Sequence, residues 1–294
     1  MAVMNVPSIF ISQPDSQIFS VIGSLPRFIE WTLSFFIIAF QAIWFNYIFT
    51  EANYVDAKTL VPAAVWAVLS TFTSGFYALG EPLFLQFLIL LMMHSLVDIR
   101  QKEASQLQCF HAGVLNGVLI ILHPPFVVLI PFMFMALYTL RTFRLRDYFL
   151  ALLGIFVALF WAWGIYYITD HQLFLITRSL HLIGINTLIA SYIVQGKAVF
   201  VLLLSLGGIL MLSGILASAG FKRKKNVTIS ISMTVGLVAT WFLSNNTPLG
   251  MCYFLIAPMV WLISLLMLRI HKKVLAEVLF GIFVLSFFVV QFFE

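Results

Sequence analysis

Asp170, His171, Arg178, His181 and Asn186 fall within one connection, DHQLFLITRSLHLIGINTLIASYIVQGK, of an otherwise apolar chain. A carboxylate, imidazoles and a guanidinium in such a stretch can hold a phosphate or work as an acid–base pair. Arg178 and His181 are three residues apart and share a face if the segment is helical. If the protein is an enzyme, Asp170 is therefore the expected catalytic carboxylate, with Arg178 and His181 as substrate ligands. Glu81 is the other carboxylate expected on the same side. The plainer expectation is a solvated interfacial segment whose polar residues face water.

A second constellation surrounds His123-Pro124-Pro125. Proline removes backbone donors and bars the residue before it from helical geometry, so the chain must break or turn there. A broken helix at membrane depth could line a polar cavity, with His123 and Asn116 as substrate ligands and His111 on the same short helix. The alternative is a tight outer turn with His123 at the water boundary. The remaining polar residues in or near apolar runs, His94, Asp98, Glu103 and Glu277, all lie close to helix ends, so the signature of an ion pathway is missing. Cys109 and Cys252 form no CxxC or Cys/His pattern, and of the six histidines only His94 has a carboxylate at helical spacing, Asp98 four residues on, with no third ligand beside them. No disulfide framework, metal centre or cofactor is expected.

These groups must be positioned by elements built for a bilayer. Of the 294 residues, 62% are apolar and 9% charged, where a soluble domain carries roughly 25% charged. The apolar residues come in long runs, not in the short alternating segments of a β-barrel. The expected fold is all-α: a polytopic transmembrane helix bundle of about ten spans, forming a single integral membrane domain over residues 1–294. Residues 1–26, with Pro7, Pro14 and Pro26, are expected outside the membrane, and lack the pattern of a cleaved signal peptide. The spans are expected at 31–50, 60–79, 82–97, 107–122, 124–140, 148–169, 198–220, 226–244, 249–268 and 274–291. Most approach the ~20 residues that a ~30 Å hydrocarbon core requires. The third, fourth and fifth are shorter, suiting a locally thin region or half-helices meeting at His123.

Basic residues set the orientation. With Arg141, Arg144 and Arg146 on the cytoplasmic side, alternation also brings there Lys58, Arg100, Lys102, Lys222, Arg223, Lys224, Lys225, Arg269, Lys272 and Lys273. Only Arg27, Arg178 and Lys197 fall outside. An eleventh span over 170–197 would bury Arg178 and turn the 222–225 run outward, so that segment is expected to lie along the outer interface. The run at 222–225 suits topological anchoring or contact with anionic membrane lipids. Nothing resembles a nucleic-acid-binding face. Ser205, Gly207, Gly208, Ser213, Gly214 and Ser218 would let one face of the seventh span approach another helix closely, including one in a partner membrane protein.

Gly113, Gly117, Pro124 or Pro125, Arg141, the Arg146-Asp147 dyad and Gly154 follow one another as short helix, proline-marked turn, second helix and glycine-containing span. With Ala257-Pro258 inside a later span and a Lys-containing stretch before the last helix, the pattern resembles a family of uncharacterised multipass inner-membrane proteins of Bacteroidetes. That resemblance implies a bacterial inner-membrane location and a multipass topology, and brings no activity. A structural or accessory subunit in a cell-envelope process is the leading expectation. A membrane glycosyltransferase-like enzyme acting on polyprenyl-linked sugars is the alternative, set back by the scarcity of outer carboxylates, and a transporter comes third.

Overall fold

The computed structural model describes residues 26–52, 54, 59–70, 81–99, 106–140, 145–168, 205–210, 212, 214, 221–243, 248–269, 277–278 and 280–285. Among them the architecture is all-α, without strands. In chain order the helices are α1 (Arg27–Glu51), α2 (Val61–Ser70), α3 (Glu81–Asp98), α4 (Gln106–Leu122), a 3-10 turn (Pro124–Val128), α5 (Leu129–Leu140), α6 (Leu145–Ile168), α7 (Phe221–Leu243) and α8 (Pro248–Arg269). The described parts of 205–214 and 277–285 are also helical.

Two stretches, Phe28–Glu51 in α1 and Leu145–Ile165 in α6, are long and apolar enough to cross a membrane. Shorter apolar helices cover Val61–Ser70, Leu83–Asp98, Gln106–Leu122, Pro124–Leu140 and Leu255–Leu268. The helices begin where local chemistry allows. Pro26 precedes α1 with φ −54° and ψ 135°, and its carbonyl accepts from the backbone N–H of Ile29 and Glu30. Glu30 places negative charge at the positive end of the helix dipole. Asp147 does the same for α6.

α7 departs from expectation. It starts at Phe221, so the basic run expected as a loop forms its opening turn. Lys and Arg are good helix formers. Lys225 also reaches across to donate from Nζ to the Leu140 carbonyl at 3.0 Å, supplying a cation to the C-terminal end of α5.

The chain passes repeatedly from one end of the bundle to the other. α2 folds back along α1, with Phe45 and Trp66 stacked at 4.9 Å. α3 then runs parallel to α1, as the Phe40–Phe87 and Trp44–His94 ring contacts show. α4 and α6 also run parallel, and form the most extensive helix–helix contact among the described elements. A β-carbon on Gly113 would run into the Ala151 carbonyl, and one on Gly154 into the Phe110 carbonyl. Only glycine permits that approach, which joins two helices by backbone-level packing. α7 packs antiparallel on α5, where the Ser232 hydroxyl donates to the Phe132 carbonyl at 2.8 Å.

The outer surfaces of α1 and α6 are apolar and aromatic along their length. α1 exposes Phe28, Trp31, Phe35, Phe36, Ile43 and Tyr47; α6 exposes Phe149, Leu153, Phe156, Phe160, Trp161, Trp163 and Tyr167. The interior centres on Phe45, Trp66, Leu90, Met92, Leu96, Phe126, Met133, Val260 and Trp261.

Candidate functional site

Asp170, Arg178 and His181, with the rest of 170–197, lie outside the described residues. So do Lys58, 100–105, 141–144 and 270–276, and the side chain of Glu81. Of the expected ligands, Asn116 and His123 are in view. His123 has extended backbone (φ −145°, ψ 96°), and the 3-10 turn opens directly after it at Pro124. Its N–H donates to the Leu119 carbonyl at 2.8 Å, and its carbonyl accepts from Phe126 N–H at 3.0 Å. The break therefore stays hydrogen-bonded on both sides, as a buried break must. The imidazole is 1% exposed and meets the Phe126 ring edge-on at 5.6 Å, so it is packed inside and not set at a water boundary.

Asn116 is two turns earlier on the same face, about 10 Å along the axis. Its Nδ2 lies 3.9 Å from the Met133 sulfur, a weak acceptor, and its Oδ1 has no partner among the described residues. His111 is exposed and about 18 Å along the helix axis from His123, so it does not join them. Asn116 and His123 are thus buried within the wedge of α4, the 3-10 turn and α5, which is otherwise filled by Leu119, Phe126, Leu129 and Met133.

A larger polar assembly, unanticipated from the sequence, gathers helix termini at one end. His94 Nδ1 lies 3.8 Å from Glu51 Oε2, joining the last turns of α3 and α1, and the His94 ring packs against Trp44 and Tyr47 at 5.4 and 5.9 Å. Gln108 donates to the buried Asp98 carboxylate at 2.5 Å, tying the start of α4 to the end of α3. Asn226 Nδ2 donates to the Ala52 carbonyl at 2.6 Å, and the Tyr54 hydroxyl pairs with Ser230. Lys225 on Leu140 completes the set. Arg146 and Lys224 are exposed at this same end, on the opening turns of α6 and α7.

Away from that end, Gln41 of α1 donates from Nε2 to the Leu83 carbonyl of α3 at 2.9 Å. Gln41 and Gln86 are fully buried, as is Ser70. A narrow crevice between α3, α7 and α8 is lined by Met93, Ser230, Met233, Thr234, Leu237, Pro258 and Trp261. Pro258 sits inside α8 and removes one backbone bond there. In the seventh expected span, a β-carbon on Gly208 would run into the Leu262 carbonyl of α8, and Gly207 faces the Leu266 side chain. These two glycines are therefore used within the chain. Among the described residues no group of three or more His, Cys, Asp or Glu could hold a metal ion.

Comparison of the chain with protein-family models, curated proteins and solved structures finds no match.

Proposed function

We propose that this chain is a multipass protein of a bacterial inner membrane, with about ten spans and its basic loops on the cytoplasmic side. Within the membrane it serves as a structural or accessory subunit of a cell-envelope process. The observation that carries this reading is the outer surface of α1 and α6. Trp31 and Tyr47 on α1 are about 24 Å apart along the axis, and Phe149 and Trp163 on α6 about 21 Å. All four are exposed, with exposed Phe, Leu and Ile between them. Aromatic residues at the two boundaries of an apolar band suit a hydrocarbon layer ~30 Å thick. The gathering of Arg146, Arg223, Lys224 and Lys225 with the polar helix termini favours one basic, water-facing end. The interior favours a subunit over an enzyme, because apolar side chains fill the wedge around Asn116 and His123.

Single cysteines introduced at Lys224 and Trp163 test the arrangement. In inside-out membrane vesicles an impermeant thiol reagent should label the cysteine at 224 and leave that at 163 unlabelled. Labelling at 224 only in intact cells would reverse the orientation. Extraction of the protein by alkaline carbonate would end the membrane reading. Complementation of a deletion strain by Asp170→Asn and Arg178→Ala, at matched protein levels, separates subunit from enzyme: full rescue by both keeps the subunit reading, and loss in both replaces it.

A further inference from the structure

Three buried polar side chains from three helices lie at about one level, deep in the bundle. Phe45 and Trp66 stack where α2 returns along α1. Gln41 lies one turn beyond Phe45 on the same face of α1, and Ser70 one turn beyond Trp66 on the same face of α2, so both fall at the same height. Gln41 is bonded to the Leu83 carbonyl of α3, and Gln86 follows Leu83 by one turn. This level is about 15 Å along α1 from Glu51, well inside the bundle. Gln41, Ser70 and Gln86 are each 0% exposed.

Their unmet hydrogen-bonding groups define what could bind. Only an amide nitrogen can donate to the Leu83 carbonyl, so the Gln41 amide is oriented and its Oε1 faces away. That oxygen, both amide atoms of Gln86 and the Ser70 hydroxyl have no hydrogen-bond partner among the described residues. The set combines amide acceptors, an amide donor and a hydroxyl that serves as either. A cation would satisfy the oxygens and leave the Gln86 N–H groups pointing at positive charge. An anion would satisfy those N–H groups and face two carbonyl dipoles. A small neutral molecule that both donates and accepts meets every requirement, and burial without such a partner is costly.

We infer that Gln41, Ser70 and Gln86 form an internal site for a small neutral hydrogen-bonding molecule, with water as the resident ligand, bridging α1, α2 and α3. Buried waters take this role where several otherwise unmet polar groups converge. The site stands on burial inside the bundle and does not depend on the membrane reading.

Water-edited NMR of the full chain with labelled glutamine side chains, in lipid bilayers, tests the site. Magnetisation should pass from water to the Gln86 amide as readily as to that of Gln108, at the polar end. The same transfer to Gln41 should fall at least twofold in Gln86→Met, which keeps length and removes both polar atoms. Absence of transfer at Gln86 in the unaltered chain overturns the site, whatever the variant does. Unchanged transfer at Gln41 in a folded Gln86→Met protein overturns the bridge. A shift of both amides when sodium replaces choline in the buffer would assign a cation and overturn the neutral ligand.

Discussion

Two pairs of parallel helices, each separated in sequence by one helix running the other way, are joined by opposite means. α4 and α6 meet through Gly113, Gly117, Ala151, Gly154 and Ala158, so that backbone lies against backbone. α1 and α3 meet through side chains: Phe40 on Phe87, Trp44 on His94, Gln41 on the Leu83 carbonyl and Glu51 beside His94. The first joint depends on what is absent from the side chains and tolerates no added atom. The second spreads its stability over several contacts and should yield gradually. A bilayer suits both solutions, because lipid offers helices no hydrophobic reason to associate beyond packing and polar contacts.

The sharpest break of this contrast is Gly113→Ala. Its new methyl group has only the Ala151 carbonyl to move against, and backbone cannot turn aside as a flexible side chain can. A loss of about 3 kcal/mol is expected, the upper part of the usual range for an overpacked core. Denaturant unfolding in detergent, followed by tryptophan fluorescence, measures it; a change within error would show that α4 and α6 do not approach so closely.

Glu51→Gln probes the other joint and should do far less. It keeps shape and removes charge from a partly exposed pair at 3.8 Å, with the ring contacts of His94 left in place. Exposed pairs contribute up to ~1 kcal/mol, so a loss within about 1 kcal/mol is expected. A larger loss than that of Gly113→Ala would invert the ranking of the two joints.

Much of this architecture was legible along the chain. The apolar runs mark the helices, His123-Pro124-Pro125 marks the break, and Pro26 and Pro82 sit where helices begin. Local chemistry suffices for these features, because a prolyl ring acts on its immediate neighbours. The joints were not legible in the same way. Gly113 and Gly154 were visible as a pattern, but nothing local says that each faces the other's helix. Gln41 and Gln86 disappear within apolar runs, and Asn226 finds its acceptor 174 residues away at Ala52. The start of α7 is not evident from charge alone, because a Lys/Arg run then reads as a loop. Its helical propensity and the cation-seeking Leu140 carbonyl favour helix instead. Of the expected site, the wedge around Asn116 and His123 is apolar, and its polar atoms give no cavity-lining pattern that spacing could have revealed.

The smallest effect expected has the opposite sign. Gly164 lies on α6, the same helix as Gly154, and a β-carbon there would meet nothing within 4 Å. Glycine inside a helix costs roughly 0.5–1 kcal/mol relative to alanine, through the freedom it retains in the unfolded chain. In detergent the unfolded state keeps part of its helix, so Gly164→Ala should stabilise by a few tenths of a kcal/mol, below that range. Gly113→Ala and Gly164→Ala add the same methyl group to two helices of one pair, and differ only in what the methyl meets. If both destabilise equally, the cost at Gly113 belongs to some general property of these helices and not to its contact with Ala151. Opposite signs in the same denaturant assay would tie the larger effect to the α4–α6 crossing itself.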